Sequence, residues 1–137
     1  MRRLAFTVLA LIVFSSVHPA RAADAPAIRA VIEAQLKAFR SDDGAAAFAK
    51  ASPGIQAMFG TPENFMAMVR QGYPQVYRPR AVEFADIVTE RGRPVQRVRI
   101  VGPDGKVVMA HYPMQRQPDG SWRIDGCYLE ELPEVAV

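Results

Sequence analysis

The stretch from Gln96 to Leu132, QRVRIVGPDGKVVMAHYPMQRQPDGSWRIDGCYLEEL, decides the fold. Val, Ile, Met, Tyr and Trp recur around two matching breaks, Pro103-Asp104-Gly105 and Pro118-Asp119-Gly120. Asp-Gly signals a short hairpin loop, because both residues accept positive φ at little cost. Upstream, Arg91-Gly92 supplies a third break. Four strands are predicted: Arg80–Glu90, Pro94–Val101, Lys106–Arg116 and Ser121–Leu132. Short breaks between them imply an antiparallel meander. Tight turns at Asp104-Gly105 and Asp119-Gly120 set odd positions of one strand against even positions of the next. One face then carries Val98, Ile100, Val107, Met109, His111, Trp122, Ile124 and Tyr128. The other carries Arg97, Arg99, Val108, Ala110, Tyr112, Arg123, Asp125, Cys127 and Leu129. The first holds most of the bulky side chains and is the expected core face. The second mixes charges with apolar residues and suits a homodimer contact through the outer sheet face. Pro113 interrupts the third strand, and a bulge there breaks the parity.

Working towards the N-terminus, the pattern changes to a helical period. Ile28, Val31, Ile32, Leu36 and Phe39 fall on one helical face, with Arg29, Glu33, Lys37 and Arg40 largely opposite. Asp24 is the expected cap and Pro26 fits the first turn. Ser41-Asp42-Asp43-Gly44 ends this helix and caps a short one over Ala45–Ala51, with Phe48 as its large anchor. Ser52-Pro53 starts one turn through Phe59, which Gly60 stops. Thr61-Pro62-Glu63 is a clearer start, leading through Phe65, Met68 and Val69 to a stop at Gly72. Two prolines predict an extended segment over Tyr73–Pro79.

At the start of the chain, Met1-Arg2-Arg3 precedes an uncharged run, Leu4–Val17, and a small-x-small triplet, Ala20-Arg21-Ala22. This is the layout of a signal peptide over residues 1–22, which predicts a periplasmic or secreted protein. One domain is expected over residues 23–137. The full chain carries 17 basic and 14 acidic side chains, a net charge of +3. Removal of Arg2, Arg3 and Arg21 brings the basic count level with the acidic one. The basic excess therefore belongs to the leader, and it supports no nucleic-acid partner and no membrane binding after cleavage. Cys127 is the only cysteine. It is expected as a buried strand thiol, with an intermolecular bridge as the alternative.

Several runs carry a resemblance. They are Gln35-Leu36-Lys37-Ala38-Phe39, Asp42-Asp43, Ala47-Phe48-Ala49-Lys50-Ala51-Ser52-Pro53 and Phe65-Met66-Ala67-Met68-Val69, then Tyr73-Pro74-Gln75-Val76, Tyr112-Pro113-Met114 and Gly120-Ser121-Trp122-Arg123-Ile124-Asp125-Gly126-Cys127. In these the chain resembles a family of small exported bacterial proteins, domain of unknown function 4864. More broadly it resembles the nuclear-transport-factor-2-like superfamily. The Ala-Phe-Ala-Lys-Ala-Ser-Pro and Trp-Arg-Ile-x-Gly-Cys runs are the most specific. The resemblance implies an α+β, cystatin-like cone with N-terminal helices packed on a curved four-stranded antiparallel sheet. It carries no assigned reaction or catalytic residue.

Beyond the leader there is one histidine, His111. One imidazole and one thiol are too few for a structural zinc site, so no metal and no cofactor is expected. No Gly-x-Ser-x-Gly, Cys-x-x-Cys, phosphate loop or His-Glu-x-x-His is present. His111, Tyr128 and Glu83 are the candidate pocket-lining residues: an imidazole able to exchange protons near neutral pH, a phenol able to orient a ligand, and the one strand carboxylate that the register turns inward. Tyr73 and Tyr112 offer further hydroxyls, with packing as the simpler reading. Asp86 and Asp125 are expected on the outer face, Asp86 in an ion pair with Arg97. Arg97 and Arg99 suit an anion or a solvated edge. Met58, Met66 and Met68 suit an adaptable groove or ordinary core filling. The leading functional expectation is non-enzymatic binding of a small apolar ligand or a partner protein. The alternatives are a lyase, isomerase or hydrolase using His111 or Glu83 as base, and a dimeric accessory module.

Overall fold

The computed structural model describes residues 24–133. The expected signal peptide lies outside the described residues. Helix α1, Asp24–Arg40, forms where the helical period predicts it. Ile28, Ile32, Leu36 and Phe39 are at most 3% exposed, while Arg29 and Glu33 pair across one turn on the solvent side. Three short helices follow, each opened by a side-chain cap that accepts an otherwise unpaired backbone N–H. Asp43 caps α2, Gly44–Ala49. Ser52 caps α3, Pro53–Phe59, and Thr61 caps α4, Pro62–Gly72. The segment expected to be extended, Tyr73–Pro79, instead contains a single helical turn, α5, Pro74–Tyr77. Pro74 takes its first position, where a fixed φ and a missing N–H cost nothing.

The sheet consists of β1 (Ala81–Glu90), β2 (Arg93–Val101), β3 (Val107–Arg116), β4 (Trp122–Ile124) and β5 (Tyr128–Glu131). All pairings are antiparallel, in the order β1-β2-β3-β4, with β5 also on β3. The α+β architecture of N-terminal helices on an antiparallel sheet is thus as expected, with five strands rather than four. The fourth strand is split. Asp125, Gly126 and Cys127 stand opposite only Tyr112 and Pro113, and this extra residue separates β4 from β5. The parity break expected at Pro113 is this bulge.

The register differs from the expected one by one residue at each hairpin. Val101 pairs with Val107, and Arg116 with Trp122. Each loop closes through an outer pair, Gly102 N–H to Lys106 O at 2.8 Å and Gln117 N–H to Ser121 O at 2.7 Å. The loops are therefore three residues long, Pro-Asp-Gly, with Gly105 at φ +84° and Gly120 at φ +86°. Val98 then faces Ala110, and Ile100 faces Val108. The inner face holds Val98, Ile100, Val108, Ala110, Tyr112 and Met114, which all join the core. Met109 and His111 move to the outer face. The second loop shifts parity again, so Trp122 and Ile124 stay inside as expected, at 7% and 4% exposure. The bulge then turns Tyr128 outward and Leu129 inward.

Two distant runs meet at the centre of this arrangement. Ser52 N–H donates to Ile124 O at 2.8 Å, and Ile124 N–H donates to Lys50 O at 2.9 Å. Ser52 Oγ donates to Asp125 Oδ1 at 2.7 Å while accepting from Ile55 N–H. The Lys50-Ala51-Ser52-Pro53 run and the Ile124-Asp125-Gly126-Cys127 run therefore form one joint between helices and sheet. Phe65 packs against Phe39, Phe48 and Phe59 beside it, at centroid distances of 6.1, 5.6 and 5.7 Å.

Candidate functional site

A cavity of about 380 Å³ opens beside this joint, between the helices and the inner sheet face. That volume lies within the range of small-molecule sites. Phe39 of α1, Ile55, Met58 and Phe59 of α3, Phe65, Met68 and Val69 of α4, and Val76 of α5 form the apolar wall. Tyr112, Ile124, Gly126 and Cys127 form the sheet side, and Gln35, Ala51 and Tyr73 complete the lining. Among the described residues the lining contains no Asp, Glu, Lys, Arg or His. Helix α3 is the loosest wall: none of its residues is fully buried, and Met58 is 72% exposed.

The polar atoms of the cavity sit at the bulge. Tyr73 Oη donates to Cys127 O at 2.9 Å and fixes the bulged backbone. The Gln35 amide donates to Ala47 O at 3.2 Å, tying α1 to α2. Tyr112 is fully buried, and its hydroxyl has no hydrogen-bond partner among the described residues. The Cys127 sulfur lies beside that hydroxyl and is its one neighbouring acceptor, a weak one outside strict hydrogen-bond geometry. Cys127 as a residue is partly exposed, but its thiol is turned inward, and burial pushes it up to about 12. Burial likewise raises Tyr112 well above the ordinary phenol value, and Tyr73 above it. These groups are neutral at physiological pH. They can donate or accept a hydrogen bond, but the thiol is not a thiolate nucleophile.

The structure brings two of the three sequence candidates together, on the other side of the sheet. The His111 and Tyr128 rings stack at 4.4 Å with planes 3° apart. His111 Nε2 lies 2.9 Å from Glu130 Oε2, and Tyr128 Oη donates to the Glu90 carboxylate at 2.9 Å. Glu83 is exposed and stands opposite Arg99. His111, Tyr128 and Glu83 thus occupy the outer face and do not line the cavity. The reason is the extra residue in the first Pro-Asp-Gly loop, which reverses the face of β3, together with the bulge before β5. Glu83 follows from the pairing of β1 with Arg99 of β2. Asp86 accepts from Arg97 at 2.8 Å, the surface pair that the sequence predicts. Asp125 is held by Ser52 and Arg93.

Tyr112 and Cys127 are the cavity residues that the simple register assigns to the outer face. The signal that finds Tyr112 is the glycine in third place of the first Pro-Asp-Gly, which marks a three-residue loop, and the signal for Cys127 is the bulge opposite Pro113. Of the helix methionines, Met58 and Met68 line the cavity and Met66 is buried in the core. Cys127 lies in the bulged connection, not in a strand. Among the described residues no group of three His, Cys, Asp or Glu side chains is placed to hold a metal, and no helix is long and apolar enough to cross a membrane.

The family model described as a domain of unknown function, DUF4864, matches residues 21–137, and the chain belongs to that family. No curated protein and no solved structure matches it.

Proposed function

We propose that this protein is an exported, non-enzymatic binding domain, a cone of the nuclear-transport-factor-2-like kind, whose cavity takes a small apolar ligand. The cavity carries this reading: about 380 Å³ lined almost wholly by Phe, Ile, Val, Met and Tyr. Such a space gains from burying an apolar molecule at roughly 25 cal/mol per Å² removed from water. Its titratable lining groups, Tyr73, Tyr112 and Cys127, all have values raised by burial. A general base poised near neutrality is a carboxylate or an imidazole, and among the described residues the lining offers neither. Met58 and Met68 on α3 and α4 give an unbranched, adaptable rim that suits a binding site for molecules of varied outline.

Native mass spectrometry of protein purified under mild conditions from its own host tests the proposal. The expected species is a polypeptide beginning at Ala23 that carries a small organic molecule, released on denaturation. A polypeptide without adduct, which also fails to take up any added apolar compound, contradicts the binding reading. A chain retaining Met1 contradicts the exported placement.

A further inference from the structure

Among the described residues, three buried side-chain atoms have no hydrogen-bond partner: Gln75 Oε1, His111 Nδ1 and Tyr112 Oη. They are not equivalent. Gln75 Oε1 is an acceptor. His111 Nδ1 is also one when Nε2–H donates to Glu130, the tautomer that the 2.9 Å contact favours. Unsatisfied acceptors are tolerated more often than unsatisfied donors. Tyr112 Oη alone is a donor, with no acceptor beside it but the weak Cys127 sulfur, and Tyr112 alone of the three lines the cavity. At the bulge, Cys127 O accepts from Tyr73 and not from Tyr112.

We infer that the cavity selects an uncharged ligand bearing one hydrogen-bond acceptor, a carbonyl or ether oxygen on an apolar frame, which receives the Tyr112 hydroxyl proton. This rests on the cavity being the binding site. The acceptor gives a strong partner to a donor that otherwise stays buried against a weak sulfur acceptor, so binding is favoured by the better bond. A carboxylate or phosphate in the same place finds no cation in the lining and loses its hydration without compensation. An amine meets no carboxylate there either. Cys127 adds a polarisable, neutral neighbour to the oxygen and leaves it chemically untouched.

Calorimetric titration of the full mature chain with three probes of one outline tests this: methyl naphthyl ketone, ethylnaphthalene and naphthoate. The expected order has the ketone about tenfold tighter than ethylnaphthalene, the worth of roughly one buried hydrogen bond, with naphthoate weakest. Tyr112→Phe removes the hydroxyl alone, and in it the ketone and ethylnaphthalene should bind equally. A wild-type reading needs no variant: the ¹³Cζ resonance of Tyr112 should move with the ketone and stay with ethylnaphthalene. Equal binding of these two probes by the wild type, or a ketone preference that survives Tyr112→Phe, overturns the acceptor inference and leaves the apolar site standing. Failure of both uncharged probes to bind overturns the site itself.

Discussion

The two faces of the sheet differ in how they treat their polar groups. On the outer face these groups are partnered with one another: Arg97 with Asp86, His111 with Glu130, and Tyr128 with Glu90. Arg93 holds Asp125 in the same way at the bulge. On the inner face the side chains are apolar and covered by α1 and its neighbours, except where Tyr112 and Cys127 meet the cavity. The groups with the most reactive reputations, His111 Nε2 and the Asp86, Glu90 and Glu130 carboxylates, therefore lie where each already has a partner. A phenol that sequence patterns treat as packing, Tyr112, lies where its one donor meets only the weak Cys127 sulfur. A poorly satisfied donor in an apolar hole is a stronger pointer to a ligand than an imidazole with a carboxylate beside it.

The contrast between faces predicts a contrast in stability. Trp122 is 7% exposed on the inner face, and Trp122→Ala should cost about 3–5 kcal/mol in urea unfolding. At the other extreme, Arg97→Ala on the outer face removes a pair whose side chains are 32% and 57% exposed, and should cost less than about 1 kcal/mol. A loss below about 1 kcal/mol at Trp122, or comparable losses at both positions, would erase the distinction between core face and surface face.

Between these two effects lies a pH dependence at the bulge. Burial raises the Cys127 thiol from its ordinary value of 9.0 to about 12. Below the ordinary value the thiol is neutral in both folded and unfolded chains and contributes no pH dependence. As pH rises from 9.0 towards 12 the unfolded thiol ionises and the folded one resists, so stability falls. Buried Tyr112 adds to this loss from the ordinary phenol value of 10.0 upward. Cys127→Ala should remove the first part of the alkaline decline in denaturation curves and leave the tyrosine part. An unchanged alkaline limb in that variant would mean that the thiol faces water.

Much of this was legible in the chain itself. Helix α1 follows from the spacing of Ile28, Ile32, Leu36 and Phe39, and α4 from Thr61-Pro62 and Gly72. The strand boundaries follow from Gly92 and the two Pro-Asp-Gly loops. The site was not legible, because side-chain facing has a period of two and any one-residue error inverts it. Two loops one residue longer than the tightest turn, and one bulge at Pro113, each inverted the assignment. At Trp122 the inversions cancelled; at His111, Tyr112 and Tyr128 they did not. The local pattern around Tyr73–Pro79 also misled: Pro74 starts a helical turn as readily as it holds an extended strand. The union of Ser52 with Asp125 is non-local and leaves no periodic trace in either run.

Methionine methyl NMR separates the two faces within one experiment. Met58 and Met68 line the cavity, whereas Met109 lies on the outer face between Arg99 and Glu130. Added methyl naphthyl ketone should shift the Met58 and Met68 methyl resonances saturably and leave Met109 in place. Saturable movement of Met109 with Met58 and Met68 unmoved would put the binding site on the outer face and contradict the account.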